Sequence, residues 1–203
     1  TYSETVGTFK LTIVPDLDAV LILMETCSVI IRRANDAVTN VIPEQFIEAL
    51  PISIRPADID ENQITIRYYI ELNGVRLRDP ENDMLPEEAD DPRVFDQDND
   101  GNPGMTVLIE GIIDGEVHLV QRTRTRHQGI LSEGHITGLV DWSADEKIIG
   151  ADNPALEQGA SIETHVDPEK SWFVARPINS QTSCSEILDS EENLFPEDVG
   201  LSE

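Results

Sequence analysis

Three aspartates spaced two residues apart are the strongest chemical signal in the sequence. Asp96, Asp98 and Asp100 stand in the run Asp-Gln-Asp-Asn-Asp-Gly-Asn-Pro-Gly, residues 96–104. On a tightly turning loop such alternate carboxylates converge on one point, and Gly101 permits the backbone turn that brings the next carbonyl towards it. Carboxylate oxygens suit Ca²⁺, which binds about 6–8 oxygen atoms, and without a cation the three charges would repel one another. The pattern predicts a calcium site; the alternative is an acidic, hydrated turn that holds no ion.

The loop does not supply the full ligand set of a helix–loop–helix calcium site. The twelfth position of such a loop falls on Val107, where a bidentate glutamate is required, and the flanking sequence has the pattern of strands. We therefore expect a calcium loop within a β protein, with Asn102 in the ligand set and Asp91 and Asp114 added to it. The nearest residues that could complete the set are Asp90, Asp91, Glu110 and Asp114. An incomplete set predicts weak affinity, on the order of 10⁻⁴ to 10⁻³ M, as in extracellular modules.

A second group of side chains suited to binding is a row of arginines. Arg122, Arg124 and Arg126 alternate along a predicted strand and share one of its faces. Three guanidinium groups in a row can hold an anion or the carboxylates of a partner protein. The alternative is a solvated ladder that pairs across strands with aspartate and glutamate.

Signatures of catalysis are absent from the sequence. It contains no Gly-x-Ser-x-Gly, no His-Glu-x-x-His and no glycine-rich phosphate loop. Two carboxylates for glycoside hydrolysis can be chosen from 40 acidic residues in many ways, so this assignment is unspecific. We predict that the protein is not an enzyme, with a carbohydrate-active enzyme as the weaker alternative.

The charge balance restricts the partners. Among 203 residues there are 40 acidic and 14 basic side chains, which gives a formal net charge of −26. Such a surface repels nucleic-acid phosphates and anionic lipid, so no nucleic acid is expected as a partner. No apolar run reaches the length of a transmembrane segment. An exported chain from which a leader has been removed would begin as this one does, at Thr1, and we expect an extracellular, periplasmic or outer-envelope location.

The sequence contains two cysteines and no Cys-x-x-Cys pair, which excludes zinc ribbons, thioredoxin-like redox motifs and haem attachment. A disulfide between Cys27 and Cys184 would close nearly the whole chain. In the chain-entropy model that closure contributes roughly 4 to 5 kcal/mol to stability. The alternative is two separate buried thiols.

Alternation of apolar and polar residues predicts an all-β fold. The clearest case runs from Ile64 to Leu72, where isoleucine, tyrosine and leucine occupy every second position. Asp114-Gly115 predicts a two-residue hairpin turn. The spacing of the segments favours an antiparallel meander that forms a barrel or a sandwich. The other predicted strands are residues 9–13, 19–31, 105–113, 116–126, 129–131, 136–142, 147–150, 161–165 and 171–176.

One short helix is predicted near residues 43–50, because Pro43 opens the segment, acidic residues follow, and Pro51 ends it. We expect a β domain over residues 1–184, with an acidic calcium-loop insertion at 79–104. Residues 185–203 carry acidic side chains and no basic ones, which predicts a flexible tail that could dock on a basic partner.

The segment Asp-x-Asp-Asn-Asp-Gly-Asn-Pro-Gly-Met-Thr-Val from Asp96, followed by Val-His-Leu-Val-Gln-Arg-Thr-Arg at 117–124, resembles a group of exported β-rich proteins and lipoproteins of myxobacteria and related Gram-negative bacteria. The resemblance covers residues 79–142, with a weaker echo at 42–51. It implies an envelope or extracellular location and carries no activity.

These observations favour an exported, calcium-stabilised structural or interaction protein of the cell envelope, an appendage or an extracellular assembly. It would work by contact with a protein partner or by self-assembly through exposed strand edges. A different class of function is a small-molecule carrier similar in architecture to lipocalins, which would require a cavity of several hundred cubic ångströms, roughly 300 Å³ or more, inside the barrel.

Overall fold

The computed structural model describes residues 3–16, 19–33, 38–157 and 164–195. Within these ranges the antiparallel all-β prediction is confirmed, because nine strands form one sheet that curls into a half-barrel. The strands are β1 (Ser3–Asp16), β2 (Ala19–Arg33), β3 (Val38–Val41), β4 (Ser53–Asp60), β5 (Gln63–Asn73), β6 (Met105–Gly111), β7 (Gly115–Ser132), β8 (His135–Ala151) and β9 (Trp172–Ala175). The α-helices are α1 (Glu44–Ala49), α2 (Cys184–Asp189) and α3 (Glu191–Leu194), and short 3₁₀ helices lie at Pro154–Leu156 and Pro168–Lys170. None of the described helices is long and apolar enough to span a membrane.

The long strand β7 organises the sheet. The order along the sheet is β1-β2-β4-β5-β7-β6-β3, and β8 joins β7 to β9. One edge of β7 pairs with β6 near its start and with β5 further along, while β8 pairs with the other edge. At the end of this path β3 lies close to β2, so the sheet curves back on itself. This curvature favours the barrel over the sandwich among the two predicted arrangements.

Two pairs of predicted strands are each one continuous strand. Residues 116–126 and 129–131 both belong to β7, and residues 136–142 and 147–150 both belong to β8. Gly129 pairs with Gly138 across these strands. A Cβ at Gly138 would collide with the backbone of β7, so glycine is needed here for close packing within the sheet and not for a turn.

The predicted two-residue turn at Asp114-Gly115 is wrong in length, although the hairpin exists. The last pair between β6 and β7 joins Ile109 to Gly115, so the connection spans the residues between them. Asp114 accepts a hydrogen bond from the backbone N–H of Gly111 over 2.8 Å and closes this longer turn. Asp114 thus has a local structural role.

Alternation of apolar residues does not identify β4, because two of its three inward positions are polar. Ser53, Arg55 and Ala57 are buried, and the residues between them are exposed. Arg55 is only 5% exposed, and its guanidinium donates hydrogen bonds to Ser53, Thr125 and Glu71. Burial lowers the pKa of Arg55, while Glu71 opposes this change. The inside of the half-barrel therefore contains a charged, hydrogen-bonded group as well as apolar side chains.

His127 lies beside this group and packs edge-on against Phe173, with 5.3 Å between the ring centroids. Burial, with a further contribution from Arg55, lowers the pKa of His127 from 6.5 to about 4. Its imidazole is therefore neutral at neutral pH.

We expect the protein to lose stability as the pH falls from 6.5 to about 4, because the unfolded chain binds the His127 proton first. His127→Leu should remove this part of the pH dependence, in which unfolding takes up as much as one proton per molecule. Urea unfolding of both proteins across this pH range measures it. Glu146, whose pKa is raised by burial, is present in both proteins and cancels in the comparison. Parallel stability curves for the two proteins would contradict the assignment.

The predicted helix is confirmed as α1, and its Phe46 enters an apolar cluster with residues of β6 and β7. A second cluster joins β2, β4 and β5 around Ile22. A third lies beneath the acidic insertion, where Val75 and Leu85 pack on Val120. The insertion is thus part of the folded domain and has its own apolar base.

The predicted disulfide is confirmed, since Cys27 of β2 is bonded to Cys184 of α2. The segment expected to be a flexible tail, 185–203, instead begins as helix. Ser183 and Glu186 form a capping box at the start of α2, and Ile187 is buried. The Ser-x-x-Glu spacing of a capping box indicates a helix start, which the acidic composition of the segment does not reveal. Residues 196–203 lie outside the described residues, as does most of the strand predicted at 161–165.

Candidate metal centre

The aspartate run lies in the connection between β5 and β6, at its β6 end. A short bridge pairs Asp96 with Gly104, and the backbone N–H of Gln97 donates to the carbonyl of Gly104 over 3.0 Å. Asn99 and Gly101 have positive φ values of 56° and 92°, which allow the tight turns of the loop between the two parallel segments of this bridge. The run is therefore a closed loop at the base of β6.

The structure brings the three aspartates together as the sequence predicts. Carboxylate oxygens of Asp96, Asp98 and Asp100 lie within 4.8 Å of one another. Asp96 and Asp100 are exposed, whereas Asp98 is only 3% exposed. The group could hold a metal ion through one oxygen of each side chain.

Asp98 is the unusual member of the group. Its Oδ2 atom accepts a hydrogen bond from the backbone N–H of Thr106 over 3.2 Å. Its Oδ1 atom is buried and has no hydrogen-bond partner. A buried carboxylate oxygen without a donor is energetically costly, so a bound cation would satisfy a specific need at this position.

The other two carboxylates are held by the loop backbone. Asp96 accepts hydrogen bonds from the N–H groups of Asp100 and Gly101 over 3.2 and 3.0 Å. Asp100 accepts from the N–H of Asn102 over 2.7 Å and from the hydroxyl of Thr106. These hydrogen bonds orient the carboxylates of Asp96 and Asp100, and none of the donors is a lysine or arginine side chain.

The pKa values of Asp98 and Asp100 are shifted in opposite directions. Burial raises the pKa of Asp98, and the neighbouring charges of Asp100 and Asp96 add to the effect. For Asp100, burial also acts to raise the pKa, but the hydrogen bonds from Thr106 and Asn102 outweigh it and the net direction is downward. A divalent cation at this point would favour the ionised form of both groups.

Of the remaining predicted ligands, Asp91 and Asp114 lie outside this cluster of carboxylates. Asn102 is adjacent, but both its backbone N–H and its side-chain amide donate to Asp100. Asp91 is held by Arg93, whose side-chain hydrogen bonds lower the pKa of Asp91 to about 2. Asp114 closes the β6–β7 turn. Among the described histidine, cysteine, aspartate and glutamate side chains, those of Asp96, Asp98 and Asp100 alone form this cluster.

Two residues near the site have no signal in the sequence pattern. Gln45 of α1 donates its side-chain amide to the backbone carbonyl of Asp98. His118 of β7 lies 3.1 Å from the Thr106 hydroxyl, measured from Nδ1 to Oγ1. Gln45 is distant in sequence from the loop, whereas His118 reaches the site through its pairing with Thr106 across the β6–β7 hairpin.

The arginine row is used mainly to hold the acidic insertion. Arg122 and Arg124 both form ion pairs with Asp145. The same guanidinium groups donate to backbone carbonyl oxygens of the insertion, those of Pro80, Glu81 and Asp83. Because Arg122 is nearest, it is the largest cause of the lowered pKa of Asp145. These contacts hold the acidic insertion against the sheet, a role for the arginines that the sequence does not predict.

Arg126 has a different set of neighbours. It pairs with Asp141 over 3.0 Å, and its guanidinium lies 4.8 Å from the centre of the Tyr68 ring. All three arginines thus meet acidic partners on β8, as the ladder alternative expects. Their role in contacting an anion or a partner protein stays a prediction.

A groove of about 320 Å³ opens beside these residues. Its lining includes Glu81, Arg124 and Asp141 together with Tyr68 and Ile70. It lies on the face that carries the arginine row and not in the interior of the half-barrel. A charged, open groove of this kind does not supply the enclosed apolar cavity that a lipocalin-like carrier requires.

Comparison of the chain with models of known protein families, with curated proteins and with solved structures finds no match in any of the three.

Proposed function

We propose that this chain is a calcium-stabilised structural protein that works by contact in the cell envelope, on an appendage or in an extracellular assembly, and that it is not an enzyme. The observation that carries the proposal is Oδ1 of Asp98, which is buried without a partner in a cluster of three carboxylates. A Ca²⁺ ion would satisfy this atom and neutralise the cluster.

The donor atoms favour calcium over other metals. The cluster offers carboxylate oxygens, and among the described residues no histidine or cysteine belongs to it. Oxygen ligands favour Ca²⁺ or Mg²⁺ over transition metals. Exposure of Asp96 and Asp100 leaves room for water ligands, and an irregular loop suits the flexible coordination of Ca²⁺ better than the strict octahedron of Mg²⁺.

Three properties taken together support an extracellular or envelope location. Three protein carboxylates give weak calcium affinity, which is useful where calcium is abundant. The Cys27–Cys184 disulfide persists in oxidising compartments. A net charge of −26 is tolerated where salt and divalent cations screen it.

A role by contact is supported by the end of the sheet at β1. Within the described ranges β1 pairs with β2 alone, and it is 14 residues long. From residue 5 to 15 its only charged side chain is Lys10, although the chain as a whole is strongly acidic. A long strand of low charge at a sheet edge is suited to pairing with a strand of another molecule.

The proposal predicts that protein isolated from cells in calcium-containing buffer carries one calcium ion per chain and is bound to another protein or to further copies of itself. Native mass spectrometry of the isolated material measures both properties at once. An Asp98→Asn variant, isolated in parallel, should lose the calcium mass. A monomer without calcium, or equal calcium on the variant, would contradict the proposal.

A further inference from the structure

We infer that Thr106 and His118 are positioning residues of the cation site: together they hold the carboxylates of Asp98 and Asp100 in the geometry that binds Ca²⁺. The inference rests on the proposed calcium site and adds that two residues of the β6–β7 hairpin set the affinity of that site for calcium.

Thr106 connects the sheet to two of the three carboxylates. It belongs to β6 and is only 4% exposed. Its backbone N–H donates to Oδ2 of Asp98 over 3.2 Å, and its hydroxyl donates to Oδ2 of Asp100. One residue of a regular strand therefore fixes the relative positions of both side chains.

His118 fixes the direction of the Thr106 hydroxyl. The two residues are paired across β6 and β7, and Nδ1 of His118 lies 3.1 Å from Oγ1 of Thr106. A threonine hydroxyl has one proton, and a carboxylate only accepts, so the proton points to Asp100. Oγ1 must then accept from His118, which places a proton on Nδ1. The order of donation is His118 to Thr106 to Asp100.

Both positioning residues are held by buried neighbours. Met105 and Val107 flank Thr106, Val117 and Leu119 flank His118, and all four pack in the cluster of Phe46. The hairpin is thus rigid where it meets the loop. Ligands held in place before the ion arrives lose less conformational freedom on binding, and partners that orient metal ligands typically contribute about 10- to 100-fold in affinity.

The inference is tested by calcium titration of purified variants, followed by calorimetry. Thr106→Val keeps the shape of the side chain and removes the hydroxyl, and it should weaken calcium binding at least ~10-fold. Thr106→Ser restores the hydroxyl and should bind within about threefold of wild type. His118→Asn keeps a donor at the position of Nδ1 and should bind more tightly than His118→Leu, which has none.

An Asp98→Asn control separates this inference from the calcium site itself. If Asp98→Asn binds calcium as wild type does, the calcium site fails and the inference with it. If Asp98→Asn loses binding while Thr106→Val and His118→Leu keep wild-type affinity, the positioning role alone is wrong. Far-ultraviolet circular dichroism without calcium verifies that each variant folds. If Thr106→Val does not fold, the comparison of His118→Asn with His118→Leu tests the inference.

Discussion

Addition of calcium should raise the melting temperature of the wild-type protein by about 5 to 10 °C, and Asp98→Asn should abolish the increase. At a calcium concentration about 100 times the dissociation constant, binding to the folded state contributes roughly 2.7 kcal/mol. For a chain of this size each kcal/mol corresponds to about 2–4 °C. Scanning calorimetry with calcium or with EDTA measures the shift.

The structure provides a matched control for this prediction. Asp91 is an aspartate of the same acidic insertion, but Arg93 holds it away from the cluster of possible ligands. Asp91→Asn should therefore retain the full calcium-dependent shift. An equal melting temperature of wild type with EDTA and with calcium would be incompatible with a stabilising ion.

Loss of the Cys27–Cys184 disulfide should lower the free energy of unfolding by about 5 kcal/mol, the largest effect of a covalent change that we expect. The bond joins residues separated by 157 positions, so it restricts nearly the whole unfolded chain. In the folded state it holds α2 against β2. A variant with both cysteines changed to alanine, compared with wild type in urea, measures the difference.

A second contact of the same region supplies the control. Thr8 of β1 donates a hydrogen bond to Glu191 of α3 over 2.6 Å. Thr8→Val removes this hydrogen bond and leaves the disulfide intact, and it should cost only about 1 kcal/mol. If the double alanine variant were no less stable than Thr8→Val, the disulfide would not be the main constraint on the chain.

Sequence patterns predict the parts of the fold whose burial follows simple alternation. In β5 the buried Ile64 and Ile66 alternate with polar residues as predicted, but the pattern holds only to Ile66. The pairing register shifts between Ile66 and Tyr69, and Tyr68, predicted on the apolar face, is 56% exposed. In β4 the inward Arg55 replaces an apolar residue, because its guanidinium is satisfied by distant groups on β5 and β7. Such compensation depends on strand order, which a local pattern does not contain.

The candidate site is predictable where its residues are close in sequence. Asp96, Asp98 and Asp100 converge because a short loop with a glycine turn leaves few alternatives. Asp91 and Asp114, proposed from proximity in sequence, are instead used by a local arginine pair and by a turn. Thr106 and His118 could not be identified, since their contact depends on the register between β6 and β7.

The most direct measurement is a crystal structure of the protein grown with calcium, with diffraction data collected at a wavelength where calcium scatters anomalously. We expect one anomalous peak among Asp96, Asp98 and Asp100, at about 2.3–2.6 Å from an oxygen of each carboxylate. Three carboxylates directed apart into water, with no peak between them, would contradict this expectation.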